Sequence, residues 1–139
     1  MGSARLGREE ITVRFPADPA SLAHVRREVA HAASAAGLEP ERIQGLQIAC
    51  GEAATNAVEH AYDSDAGDIL VRTFRSDDHF WVEIKDHGRW REPAERGSGR
   101  GMAVMRAFVD EVDIRRDNRG TTVRLAVRMD RQSKASKAS

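Results

Sequence analysis

The 139-residue chain carries 22 lysines and arginines against 22 aspartates and glutamates, so its formal net charge is zero. This length favours one domain, and the balanced charge gives no electrostatic reason to expect binding to nucleic acid or to an anionic membrane. The single cysteine, Cys50, cannot form an intramolecular disulfide, and no apolar run approaches the roughly 20 residues of a transmembrane helix. We therefore expect a cytoplasmic protein with no membrane and no direct nucleic-acid partner.

Polar sequence at both ends bounds the expected domain. Residues 1–8 are predicted to form a flexible N-terminus, residues 9–129 the folded domain, and residues 130–139 a disordered basic tail. The tail has no large apolar residue to anchor it, which is typical of a solvated terminus.

The first half of the domain is predicted to hold one strand and two helices. Apolar and polar residues alternate over residues 11–15 until Pro16 ends the strand pattern. Apolar residues then recur at helical spacing over residues 22–36, and Gly37 is typical of the position after a helix C-terminus. A second helix is predicted over residues 40–61, where many alanines on one stripe allow close packing.

The second half is predicted to hold two hairpins separated by a loop and a short helix. These elements are strands over residues 69–73 and 80–85, a loop over 87–100, a helix over 102–109, and strands over 112–114 and 123–127. The order β-α-α-β-β-α-β-β predicts an α+β fold. We expect a two-layer α/β sandwich whose sheet is mixed but mostly antiparallel, with the helices on one face.

The second predicted helix carries Glu52, Asn56 and His60 at i, i+4 and i+8, so the three side chains share one face. A carboxylate one turn from a carboxamide suits the activation of a hydroxyl or water beside a hard metal ion. The glutamate would accept the proton, and the asparagine oxygen would contact Mg²⁺. The same spacing is also compatible with an ordinary solvated helix face.

Three further segments place glycine beside polar residues at the end of a predicted element. Asp86 and Gly88 follow a central strand, where an aspartate can accept a hydrogen bond from the exocyclic amine of adenine. Glycines in the segment 97–102 precede a helix, whose amides can then point at a phosphate. The segment 120–122 opens the last strand. Taken singly, the three segments are also compatible with a turn, a flexible loop and a hairpin.

Taken in order, the motifs E-x-x-x-N-x-x-x-H-A-Y, D-x-G, G-x-G before a helix, and G-T-T resemble those of the GHKL (Bergerat) ATP-binding fold. The domain length, the element order and the segment 95–112 make the likeness more specific. Over about residues 9–129 the chain resembles the bacterial anti-sigma factor serine/threonine kinases.

The resemblance implies a role for each segment. Glu52 would be the general base for a substrate hydroxyl, Asn56 the Mg²⁺ ligand, and Asp86 the acceptor for the adenine amine. The glycines before the third helix would hold the phosphates, and one of the two threonines of G-T-T would lie near the adenine. The implied nucleotide-binding set is Asn56, Asp86, Gly88, Gly99, Arg100, Gly101, Met102, Thr121 and Thr122, with Asn56 also the metal ligand.

The resemblance further implies an ATP- and Mg²⁺-dependent serine/threonine protein kinase that is also an anti-sigma factor. Its partners would be a STAS-type anti-anti-sigma protein, which it phosphorylates, and a sigma factor, which it sequesters in a partner switch. A homodimer is also compatible with the family.

The sequence departs from the family pattern at one position, and this departure favours an alternative function. Trp90 stands where the D-x-G-x-G pattern has its second glycine, which favours a non-catalytic, nucleotide-gated protein-binding module, excised from a multidomain regulator. A third interpretation is an ATPase or an isolated histidine-kinase catalytic domain. The short lid over residues 89–98 counts against the histidine kinase.

Overall fold

The computed structural model describes residues 10–61, 67–76, 78–88 and 101–129, and the predicted order of elements is confirmed there. The predicted termini 1–8 and 130–139 and most of the predicted loop 87–100 lie outside these residues. The elements are β1 (Glu10–Pro16), α1 (Ser21–Ala36), α2 (Pro40–Asn56) with a π-helical segment (Ala57–Ala61), β2 (Asp68–Arg75), β3 (His79–Asp86), α3 (residues 101–108), β4 (Glu111–Asp117) and β5 (Gly120–Arg128).

The five strands form one sheet in the order β1-β2-β3-β5-β4, and every neighbouring pair is antiparallel. The predicted α+β class is confirmed, but the described sheet contains no parallel pair and is therefore not mixed. The connection through α3 takes the chain to β4 at the sheet edge, and the last hairpin then inserts β5 beside β3. The tight hairpin requires β5 to run antiparallel to β4, and β5 also pairs with β3 in the antiparallel sense.

The hydrophobic core lies on one face of the sheet, under the helices. Alternate residues of β2, β3 and β5 point to this face because strand side chains alternate. Burying each large apolar side chain stabilises the fold by about 1.5–3 kcal/mol relative to exposure. The buried strand residues are Ile69, Val71, Phe80, Val82, Ile84, Val123, Leu125 and Val127, and the helices add Val25, Val29, Leu46, Ala49, Cys50, Ala53 and Ala54.

Local sequence signals explain where α1 ends and where α2 begins. Gly37 ends α1 with a left-handed φ of 99°, and its amide bonds back to the carbonyls of the last turn. Pro40 then occupies the first turn of α2, where its missing N–H has no helical partner to lose. Among the described residues, no helix is both long and apolar enough to cross a membrane.

The opposite face of the sheet carries a charged and aromatic network. Glu83 is only 8% exposed, because Arg72 donates a 2.8 Å hydrogen bond to one of its oxygens and Arg124 donates a 2.8 Å hydrogen bond to the other. Beside it, the rings of Phe74 and Trp81 stack with their centroids 6.0 Å apart. Polar side chains therefore pair with one another on this face.

Candidate functional site

Helix α2 places two of the predicted site residues one turn apart. Glu52 is partly exposed and Asn56 is buried, and both project from the same side of the helix. A Cβ atom added to Gly101 would lie 2.8 Å from Glu52 Oε2 and 3.4 Å from Asn56 Nδ2. Gly101 therefore lies against two helix residues that precede it by 49 and 45 positions in the sequence (101 − 52 and 101 − 56).

Two glycines set how closely α3 approaches α2. Gly101 lies against Glu52 and Asn56, whereas a Cβ on Gly45 would lie 3.1 Å from the carbonyl oxygen of Phe108. The start of the described part of α3 therefore meets the end of α2, and its last residue meets the first half of α2. We call this antiparallel contact, from Gly45 to Asn56, the α2–α3 seam.

The backbone changes character directly after Asn56. Residues Ala57–Ala61 form a π-helical segment that packs on β3. Single π-helical turns occur frequently at functional sites. The sequence carries no signal for this change, because the alanine stripe continues through it at α-helical spacing. The segment also carries His60, whose side chain lies outside the described residues.

A second cluster surrounds Asp86, the last residue of β3. Asp86 is 2% exposed and shares the core-facing side of the strand with Ile84. The Gly88 amide donates a 3.1 Å hydrogen bond to Asp86 Oδ1, which fixes the chain as it leaves the sheet. Thr121 of β5 lies opposite Asp86 in the strand register and is also 2% exposed.

Gly120 lies against Asp86 and is not among the residues of the predicted nucleotide-binding set. Its φ is +143°, and an added Cβ would lie 1.9 Å from the carbonyl oxygen of Asp86. Only glycine therefore fits beside Asp86 at this position. The available signal was the glycine of the G-T-T motif, which by itself also describes an ordinary hairpin turn.

The two threonines of that motif fall on opposite faces of the sheet. Thr121 faces the helices together with Val123, while Thr122 pairs with Lys85 and shares the other face with Arg124. The structure thus brings Thr121, and not Thr122, to Asp86. Met102 of α3 is half-buried and packs against the hydrophobic core.

The remaining predictions cannot be located. Gly99 and Arg100 of the predicted phosphate-binding segment, and Trp90 of the altered glycine pattern, lie outside the described residues.

Asp110, just after α3, connects this part of the chain to α2 and to β5. The sequence analysis does not predict this role. Asp110 Oδ2 accepts a 2.7 Å hydrogen bond from the amide of Arg128 in β5 and a 3.3 Å bond from Arg42 Nη1 in α2. Burial by itself raises the pKa of Asp110, but these two donors outweigh it and hold the pKa below its ordinary value. The carboxylate therefore ties the end of α3 to both layers.

The fold agrees with that of the known proteins that the chain is similar to. Residues 15–127 match the family described as the histidine kinase-like ATPase domain. The anti-sigma F factor of Caldanaerobacter subterraneus subsp. tengcongensis is 34% identical over 68% of this chain and 77% of its own length. The serine-protein kinase RsbW of Bacillus pumilus is 29% identical over 88% of this chain and 87% of its own.

Solved structures of other proteins share this fold. The RsbU and RsbW domains of a Mycobacterium tuberculosis protein superpose with a TM-score of 0.72 at 26% identity, over 86% of this chain and 32% of that one. A blue-light activated histidine kinase of Erythrobacter litoralis, with a TM-score of 0.62 at 20% identity, shares the fold. The chain is thus a histidine kinase-like ATPase domain. Within that class, it belongs to the family of anti-sigma factor serine/threonine-protein kinases.

Proposed function

We propose that the chain transfers the γ-phosphoryl group of ATP to a serine or threonine of a STAS-type anti-anti-sigma protein, and that it sequesters a sigma factor when that antagonist is phosphorylated. The observation that carries the proposal is the meeting of Glu52, Asn56 and Gly101 at the α2–α3 seam. It joins a carboxylate, a carboxamide and a close backbone approach, which a phosphoryl-transfer site needs.

The nucleotide base would bind at the sheet end of the site. The buried Asp86 carboxylate would accept a hydrogen bond from the adenine amine, and Gly88 would leave room for the ring. Thr121 adds a hydroxyl on the same face. The glycines before α3 would direct backbone amides at the phosphates, with Gly99, Arg100, Gly101 and Met102 as the proposed set.

The transfer itself would use Glu52 as its general base. The substrate hydroxyl oxygen forms a bond to the γ-phosphorus, the bond to the bridging oxygen of the departing ADP breaks, and the hydroxyl proton passes to the Glu52 carboxylate. Mg²⁺ would neutralise charge on the phosphates, and the Asn56 amide oxygen fits as its protein ligand, because Mg²⁺ commonly takes one or two protein oxygens besides the phosphates.

The nucleotide part of the proposal is tested by calorimetric titration with Mg²⁺–ATP. Asp86→Asn keeps the size of the side chain and an oxygen for the Gly88 amide, but it presents an amide where the adenine amine needs an acceptor. We expect the variant to bind at least about tenfold more weakly. Asp113→Asn, on the exposed side of β4, is the matched control and should bind normally. Equal affinity of wild type and Asp86→Asn would remove Asp86 from the site.

The catalytic part is tested by phosphate transfer from radiolabelled ATP to purified STAS-domain proteins of the organism that encodes this chain. Glu52→Gln should lower the transfer rate by about 10²–10⁴-fold, the usual contribution of a general base, without weakening ATP binding. Glu41→Gln, in the first turn of the same helix, is the control. A normal rate for Glu52→Gln would contradict the base assignment.

A second candidate function is a nucleotide-gated protein-binding module without transferase activity. Trp90 in the position of the second motif glycine favours it. Tight ATP binding without transfer to any STAS protein would support this function over the kinase. In either case we propose that residues 9–129 are the functional domain and that it works in the cytoplasm.

A further inference from the structure

Three large apolar side chains are more than one-third exposed among the described residues. They are Ile11 at 37%, Ile48 at 44% and Phe108 at 45%. Single exposed apolar residues are common on protein surfaces and need no explanation. Two of these three, however, lie on the α2–α3 seam that holds the candidate base Glu52.

The position of Ile48 follows from helix geometry. It precedes Glu52 by one turn, about 6 Å along the axis of α2, and residues four apart share a helix face. Both side chains are accessible to solvent. A partner surface that covers Glu52 and extends one helical turn toward the N-terminus of α2 therefore also contacts Ile48.

Phe108 lies further along the same seam. A Cβ on Gly45 would be 3.5 Å from Phe108 Cβ, so the phenylalanine rests on α2 at that residue. Gly45 is seven residues before Glu52, about 10 Å along the helix axis. Ile48 lies between these two points. The exposed pair therefore extends from the candidate base toward the N-terminal half of α2.

The size of a protein partner connects this pair with the site. A stable protein interface buries about 800 Å² on each partner, which corresponds to a disc of about 16 Å radius. A folded protein that presents a hydroxyl to Glu52 would cover this much of the surrounding surface. Exposed aliphatic and aromatic side chains within that area are the residues that such an interface buries at its centre.

We infer that Ile48 and Phe108 form the docking surface for the protein substrate of this kinase, where they contact apolar side chains beside the serine or threonine that accepts phosphate. The inference rests on the proposed function and adds to it the residues that select the substrate. It assigns the pair to the protein substrate, not to ATP.

The test compares steady-state transfer by wild type, Ile48→Gln, Ile48→Leu and Ile11→Thr, with radiolabelled ATP and the STAS-domain protein that wild type phosphorylates best. Glutamine retains good helix propensity and removes only the apolar contact. We expect Ile48→Gln to raise the KM for the STAS protein about tenfold, with the KM for ATP unchanged. Ile48→Leu should stay close to wild type, and Ile11→Thr is the matched control on β1. Phe108→Leu and Phe108→Gln repeat the comparison at the second position.

Each outcome decides the inference. A rise in the KM for the STAS protein confined to the glutamine variants supports it. Unchanged KM values in both glutamine variants overturn it and leave the kinase function intact. An equal rise in Ile11→Thr, or weaker ATP binding in the glutamine variants, also overturns it, because the effect is then general or belongs to the nucleotide site. If wild type binds ATP but phosphorylates no STAS protein, the proposed function fails and the docking role fails with it.

Discussion

Replacement of Gly101 by alanine tests whether the α2–α3 seam positions Glu52 for catalysis. The added Cβ would lie 2.8 Å from Glu52 Oε2 and 3.3 Å from its Cγ. Both atoms belong to a flexible side chain, so the new methyl group can be accommodated by rotation of the glutamate. The substitution should therefore move the proposed base without breaking the fold.

The size of the effect follows from the distances. Ordinary contact begins at 3.4 Å, so the carboxylate has to retreat by at least 3.4 − 2.8 = 0.6 Å. Since a misplacement of about 1 Å can cost about 10²-fold in rate, we expect kcat to fall at least about tenfold. Unfolding free energy should change by less than about 1 kcal/mol, because alanine is the better helix former by about that amount and offsets the crowding.

The assay is the initial rate of phosphate transfer at saturating ATP and STAS protein, with urea denaturation alongside it. Gly45→Ala is the matched control, because it adds the same methyl group to the same seam, next to Phe108 and away from Glu52. Its kcat should remain near wild type. An unchanged kcat in Gly101→Ala would mean that the seam does not position Glu52 for catalysis. Equal losses in both variants would assign the effect to helix packing instead of to the carboxylate.

Three other predictions concern stability and reactivity. Glu83→Gln should lower the unfolding free energy by about 1–2 kcal/mol in urea denaturation, since two half-exposed arginines lose their shared carboxylate, while ATP affinity stays unchanged. Cys50 is fully buried and burial raises the pKa of its thiol, so thiol reagents should label it only after unfolding. The lowered pKa of Asp110 means that its carboxylate stabilises the fold above about pH 4 and that this contribution is lost as pH falls through the folded-state pKa. Asp110→Asn should therefore be less stable than wild type at pH 7, by no more than about 1 kcal/mol for this half-exposed group, and the difference should shrink in acid.

A specific experimental result would contradict each of these three predictions. An unchanged urea midpoint for Glu83→Gln would mean that the arginines find equivalent partners elsewhere. Labelling of Cys50 in the folded protein would show that α2 opens from the sheet on the timescale of the reaction. A stability difference for Asp110→Asn that persists unchanged at pH 2 would mean that charge is not its cause.

Much of the fold was predictable because its signals are local. Gly37 after an apolar helical stripe, Pro40 at the next helix start and the alternation over each strand depend only on near neighbours in sequence. The pairing of β5 with β3 depends instead on a long connection, whose path no local pattern specifies. For that reason the sequence predicts a mixed, mostly antiparallel sheet, whereas the described strands pair only in antiparallel fashion.

In the candidate site, too, some features follow from local sequence and others depend on contacts between distant residues. Glu52 and Asn56 could be placed on one helix face from their spacing alone. That Gly101 touches both, and that Gly120 touches the backbone of Asp86, are contacts across 49 and 34 residues (101 − 52 and 120 − 86). Spacing cannot reveal contacts of this kind. Strand register, in turn, separates Thr121 from Thr122, which a motif treats as equivalent.

The two clusters occupy different layers, and this separates the effects expected of mutation. Asp86, Gly120 and Thr121 belong to the sheet, whereas Glu52, Asn56 and the residues of the seam belong to the helices. Changes in the sheet cluster should act on nucleotide affinity, because this cluster would bind the adenine and not the transferred phosphoryl group. Changes of Glu52 and of the exposed apolar pair should act on the rate of transfer and on the KM for the protein substrate, whereas Asn56 and Gly101 would also hold Mg²⁺ and the phosphates. A chain that has lost the Glu52 carboxylate can therefore still bind ATP. It follows that nucleotide binding alone cannot distinguish the kinase from the nucleotide-gated module, and that the rate effects of Glu52 and Gly101 variants can.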